Sequence, residues 1–234
     1  MVEELLVTAR HNPKVDPSLA IWSWEIPVYL FLGGLTAGIM CFAAYAVLAR
    51  KSDEMPFTHD RFALWAPVAL SIGMTALFLD LEYKLHVFRF YTSFEPASPM
   101  SWGAWILILV YPLMILQTLS TLRRGYPALA GWVEKLPLGT RALDLSENAR
   151  RPVAVMVIPL AVALGVYTGV LLSAFSARPF WNTGLLGPLF LVSGLSSAGA
   201  LALIGSRLDC EKHFFTRADV TLIGIELTLI AMLV

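Results

Sequence analysis

IPVYLFLGGLTAGIMCFAAYAVLA, residues 26–49, carries no charged side chain over 24 positions. Wound as a helix it would extend about 36 Å, enough to cross a hydrocarbon core of roughly 30 Å. Runs of the same kind occupy 62–81, 102–122, 153–175 and 184–204, and a shorter one, 218–234, is at the lower limit for a span. With 57% hydrophobic residues, only 15% charged ones and a mean hydropathy of +0.69, the composition excludes an ordinary soluble domain. The expected fold is all-α, a polytopic transmembrane helix bundle of about six spans over 22–234. Before it lies a polar segment, 1–21, whose Glu3, Glu4, His11, Pro13 and Asp16 do not fit a cleavable signal peptide.

Charge distribution orients the bundle. Of 17 basic residues, twelve fall on one set of loops: Arg50, Lys51, Arg61, Arg123, Arg124, Lys135, Arg141, Arg150, Arg151, Arg207, Lys212 and Arg217. The other five, Arg10, Lys14, Lys84, Arg89 and Arg178, lie on the opposite side. The positive-inside rule puts the first set in the cytoplasm, so the N-terminal segment and the loop within 80–105 face outward. A formal net charge of zero gives no argument for a nucleic-acid partner.

Small residues four apart, Gly34 with Gly38 and Gly165 with Gly169, let helices approach closely, and Ser193, Gly194, Ser196, Ser197 and Gly199 give the fifth span a similar face. They predict a compact group of spans one, four and five. Prolines 27, 67, 112 and 159 recur within spans and are expected to mark kinks. The long connector, 123–152, mixes turn residues and charges, and its LDLSENARRP end reads as a short surface helix.

Ionisable groups inside a membrane are costly and ask for an explanation. Glu25 opens the first span, Asp80 closes the second, and Glu226 sits inside the sixth. Tyr29, Tyr167 and Thr168 lie in the outer halves of their spans, and Arg178 and Trp181 follow in an outer loop. If 82–90 is helical, Glu82, His86 and Arg89 share a face and a carboxylate orients the imidazole. Ser98 before Pro99 is a helix-start signal. These polar groups meet in depth at the outer face and describe a ligand pocket in an apolar wall; the bland alternative is a capped interfacial loop with aromatic anchors. Gln117 and the serines of span five stand with Glu226 as a possible inner proton route, or Glu226 is simply a protonated core residue.

Cys41 and Cys210 lack any metal-ligand spacing, so neither zinc nor an iron–sulfur cluster is indicated. The histidines, His11, His59, His86 and His213, all fall outside the spans, so axial ligation of a transmembrane haem is not expected.

Five ordered stretches carry a resemblance: WSWEIPVYLFLGGLTAG (22–38), FLDLEY (78–83), SPMSWGAW (98–105), GVYTGVLLSA (165–174) and RPFWNT (178–183). Together they resemble the NrfD/PsrC family, the haem-free membrane subunits of polysulfide-reductase-type complexes. The sequence departs from that pattern in two ways, with about six spans against eight or more and with DLEYK after span two in place of Asp-Leu-Gly-Arg-Pro. On the first count it would be a shortened member.

The resemblance implies a subunit in a prokaryotic cytoplasmic membrane that exchanges electrons and protons with a quinone, menaquinone or ubiquinone, near the outer face. The implied partners are an iron–sulfur subunit and a catalytic, molybdenum-type subunit. In that picture Tyr167 and His86 hydrogen-bond the quinone, Tyr29, Thr168, Arg89 and Arg178 position it, and His86, Asp80 and Glu25 carry protons. Two rivals remain at this point. One is a structural anchor for an extrinsic enzyme, and the other is a small-solute or ion transporter, against which the absence of repeat symmetry counts.

Overall fold

The computed structural model describes residues 24–81, 84–92, 95, 98–173 and 183–233. The run that opened the sequence argument forms α1 (Glu25–Leu48). It is apolar on every side: α3 (Trp65–Asp80), α8 (Arg150–Ser173) and α9 (Leu186–Gly205) pack on most of it, and Phe31 and Tyr45 stay exposed on the rest. A short α2 (Pro56–Asp60) and a 3₁₀ turn (Phe62–Leu64) lead into α3 at the inner end. The outer loop holds a 3₁₀ turn (Lys84–His86) and α4 (Arg89–Thr92), and α5 (Pro99–Gly125) returns inward against α8. Phe62, Leu70, Val110, Met114, Val157 and Leu164 fill the shared core.

Among the described residues five helices are long and apolar enough to cross a membrane, Glu25–Leu48, Phe62–Asp80, Pro99–Gly125, Arg150–Ser173 and Leu186–Gly205, as the sequence predicted. Residues 218–233 of the sixth expected span lie within a helix that starts earlier, and its Arg217, Asp219 and Glu226 keep it outside that apolar group. This helix, Asp209–Leu233, packs chiefly on α9.

The small-residue prediction holds at atomic scale. A Cβ on Gly194 would lie 2.5 Å from the Gly34 carbonyl oxygen, and one on Gly38 would lie 2.5 Å from the Gly194 carbonyl oxygen. Gly169 meets α9 as closely, with the Leu186 carbonyl oxygen 2.3 Å from its would-be Cβ. Two of the proline expectations need correcting. Pro27 and Pro67 are third residues of α1 and α3, in the first turn, where a missing amide breaks no ladder. Pro112 and Pro159 do sit inside α5 and α8.

The connector is more ordered than the sequence suggested. Besides the expected C-terminal helix, which runs Gly139–Asn148, a second helix covers Pro127–Glu134.

The inner ends are tied together by buried polar groups. Glu211, fully buried near the start of the last helix, accepts hydrogen bonds from the Thr58 amide (2.8 Å) and hydroxyl (2.6 Å) and from the Phe57 amide (3.4 Å). Its carboxylate thus covers the open amides of α2. Glu211→Gln is expected to lower stability by about 2 kcal/mol, because donors that lose a charged acceptor stay buried. Thermal unfolding in detergent checks this; an unchanged midpoint would show that the contact carries no stability.

Arg150 donates to the His59 carbonyl at 2.8 Å and pairs with Asp60 at 3.3 Å, and His59 Nδ1 lies 2.8 Å from the same carboxylate. Burial pushes the Asp60 carboxyl up, but the His59 hydrogen bond and the charges of His59 and Arg150 outweigh it and hold it below its ordinary range.

Candidate functional site

Toward the outer end, α1 places Glu25 and Tyr29 one turn apart on a single face. Tyr29 is only 3% exposed and Tyr167, on α8, only 7%. What admits the Tyr167 ring between helices is the absence of a side chain at Gly103 on α5, where a Cβ would fall 2.0 Å from the phenol oxygen. Gly73 on α3 lets α1 approach in the same way, with a would-be Cβ 3.6 Å from Tyr29 Cα. The Tyr29 phenol is within electrostatic reach of those of Tyr167, Tyr91 and Tyr111. Tyrosines from α4, α5 and α8 therefore lie close enough to that of α1 to act on its charge.

One turn before Tyr29 on α1, Glu25 Oε2 is buried without a hydrogen-bond partner among the described residues. Buried polar atoms are nearly always satisfied, so an orphan carboxylate oxygen points to a missing donor. The cluster can thus offer phenolic donors and one unmet acceptor inside an apolar wall.

Other predicted site residues are placed differently. Thr168 is fully buried, and its hydroxyl donates to the Gly165 carbonyl at 2.7 Å. Its methyl faces the bare Gly33, with Cγ2 at 3.4 Å from the would-be Cβ. Asp80 is exposed at the end of α3. His86 is exposed in the 3₁₀ turn, its ring 6.4 Å from that of Phe88. The helix expected over 82–90 does not form as one piece, because the backbone turns at 87–88 between the 3₁₀ turn and α4. Glu82, Arg178 and Trp181 lie outside the described residues, as does the side chain of Arg89. Ser98 is the N-cap residue of α5, but its hydroxyl makes no capping bond; Ser101 Oγ instead accepts from the Glu95 amide at 3.0 Å.

Gln117 and Glu226 are not brought together as a pair. Gln117, 3% exposed, donates to the Met40 carbonyl of α1 at 3.2 Å, and its Oε1 has no partner among the described residues. Glu226 is half-buried on the last helix, whose packing is on α9. The span-five serine that does meet an acid there is Ser196, which donates to Asp219. No cluster of three or more His, Cys, Asp or Glu side chains suited to a metal occurs among the described residues.

Sequence reasoning missed Tyr91, Tyr111 and Gly103. Tyr91 and Tyr111 were legible as outer-loop and mid-span polar aromatics, but which helix faces them is a lateral question that depth counting does not answer. Gly103 sits inside the quoted motif SPMSWGAW and carried no polar signal of its own.

Known proteins share this sequence pattern. The profile of the family described as polysulphide reductase, NrfD, matches residues 11–234. The protein is similar to the C component of polysulfide reductase from Wolinella succinogenes, at 31% identity over 76% of this sequence and 55% of that protein. It is also similar to protein NrfD of Escherichia coli, at 30% identity over 90% and 69%. The C component of tetrathionate reductase from Salmonella typhimurium matches at 29% identity over 91% and 55%. The matched region thus spans roughly half to two-thirds the length of these curated relatives.

Proposed function

Because this chain belongs to the polysulphide reductase NrfD family, we propose that it is the membrane subunit of a reductase complex that exchanges electrons and protons between the quinone pool and an iron–sulfur partner. Relatives named as membrane or C components of polysulfide, tetrathionate, dimethyl sulfoxide and selenate reductases favour that setting. A catalytic subunit beyond the iron–sulfur protein, at the outer face, completes the proposed complex. The observation that carries the quinone reading is the orphan Glu25 oxygen, one helical turn from the buried Tyr29. A quinol head brings hydroxyl donors, the groups this acceptor lacks, so the residues present fit it.

A bound quinone would supply the two-electron, two-proton chemistry. The protein's own part is orientation and proton handling. Tyr29 and Tyr167 donate hydrogen bonds from phenols whose rings are fixed by the bare faces of Gly73 and Gly103. Glu25 takes a proton at Oε2 and, being at the first turn of α1, releases it toward the outer surface. Asp80 and His86, both exposed, are the next proton acceptors outward, and His86 is suited to exchange near neutral pH. Arg89 and Arg178 complete the positioning set, and Thr168 holds α8 against α1.

Quinol-analogue binding to the purified complex, followed by fluorescence quenching, tests this. Tyr167→Phe is expected to weaken binding about tenfold, the worth of one hydrogen bond in a dry site, with the complex still assembled. Glu25→Gln should leave analogue binding largely in place but slow quinol oxidation, since it keeps the shape and loses the proton acceptor. Full binding and turnover in both variants would leave this subunit as a membrane anchor.

A further inference from the structure

The connector between α5 and α8 folds into α6 (Pro127–Glu134) and α7 (Gly139–Asn148). One side is accounted for: Ala130 and Leu143 pack on Leu122 of α5, with Leu119 and Val133 beside them. This contact also fixes depth. At 27 residues α5 is about 40 Å long, longer than a core of roughly 30 Å, and its apolar stretch gives way to Arg123 and Arg124 one step beyond Leu122. The connector helices therefore lie at the cytoplasmic boundary of the bilayer.

Their other side is also apolar. Leu129, Trp132, Leu136, Leu138 and Leu145 are exposed, Trp132 at 75% and Leu138 at 68%. Leu138 has φ 74°, in the left-handed region that a branched side chain adopts at a cost. Gly139 follows because a Cβ there would fall 1.8 Å from the Val133 carbonyl oxygen. The backbone thus accepts strain while a leucine is turned outward at the tip, which a solvated loop has no need to do.

Charges on the connector are sorted in the same sense. All three of its acids, Glu134, Asp144 and Glu147, bind the single guanidinium of Arg123, at 2.9, 2.6 and 3.3 Å. Lys135 and Arg141 stay exposed, with Lys135 Nζ 5.7 Å from the centre of the Trp132 ring. An apolar tip carrying a tryptophan and flanked by exposed cations has the composition of an interfacial insertion surface.

We propose that this face seats in the cytoplasmic leaflet, with Trp132, Leu136 and Leu138 at the acyl boundary and Lys135 and Arg141 on anionic phospholipid headgroups. It fixes the inner ends of α5 and α8 against the membrane plane, and it stands independently of the quinone reading.

The test uses the protein with Cys41 and Cys210 changed to Ser and a nitroxide on Leu138→Cys or, on a regular helix surface, Leu145→Cys. Each is placed in nanodiscs of phosphatidylcholine alone or with phosphatidylglycerol. Collisions with oxygen are expected to exceed those with a water-soluble nickel chelate at both positions. Immersion should deepen with phosphatidylglycerol, and that shift should be lost in the Lys135→Gln, Arg141→Gln double variant. A label on exposed Asp53→Cys supplies the aqueous reference. Chelate accessibility equal to that reference at both positions, whatever the lipid, would overturn the proposal and leave the face for a soluble protein partner.

Discussion

Gly103→Ala is expected to abolish tight quinol-analogue binding while leaving the complex assembled. The added Cβ would lie 2.0 Å from both the phenol oxygen and the ring carbon that bears it, and 2.5 Å from a neighbouring ring carbon. A rigid ring cannot fold away as a flexible side chain would, so the whole of Tyr167 must move or α5 must part from α8. Overpacking of this kind costs about 1–3 kcal/mol. Binding should fall at least about tenfold, which corresponds to roughly 1.4 kcal/mol. A double-mutant cycle with Tyr167→Ala separates position from bulk, because the small residue at 167 relieves the clash. If Gly103→Ala weakens binding equally in the presence and absence of the Tyr167 ring, the ring is not what glycine accommodates.

Gly194→Val is expected to prevent the bundle from closing. Here the obstruction is backbone, with the Gly34 oxygen, carbonyl carbon and Cα at 2.5, 2.7 and 3.0 Å from the new Cβ. Neither helix can yield locally, so α9 must move off α1 along its length. The loss should exceed about 4 kcal/mol, in the range reserved for core disruption, and show as absence of monodisperse protein after solubilisation. Gly224→Val is the control: its would-be Cβ meets nothing within 4 Å, so folding should be unaffected. Normal yield and melting of Gly194→Val would mean that α1 and α9 are not held at this distance.

The two glycines differ in how visible they were. Gly34, Gly38, Gly165, Gly169 and Gly194 announced a close-packed group of helices because small residues at four-residue spacing have a direct geometric meaning. All five apolar spans likewise appeared within a few residues of their final limits, since a bilayer sets length by hydropathy alone. Tyr29 and Tyr167 were legible by depth. That they share a cluster with Tyr91 and Tyr111 was not, because helix rotation depends on contacts between residues far apart in sequence. Nor was the inner clasp of Glu211 on Thr58, which joins residues 153 positions apart. The single helix expected over 82–90 does not form because a 3₁₀ turn at 84–86 and a turn at 87–88 precede the short α4, a change of local winding that residue spacing does not report.

Pro112 and Pro159 interrupt the hydrogen-bond ladders of α5 and α8, the two helices that hold Gly103 and Tyr167. Each removes the amide that would reach back four residues, to Ile108 and to Val155. An α-helix resists bending through that ladder, so both helices are softer at these points than along the rest of their length. Their inner ends are clamped, α8 through Arg150 on Asp60 and α5 through the close approach of Gly125 to the Asp60 carbonyl. Mechanically the pair behaves as two cantilevers fixed at the end that carries the connector, with a compliant joint beyond the clamp. A displacement at the tyrosines is taken up by the outer arms and does not load the inner clasp.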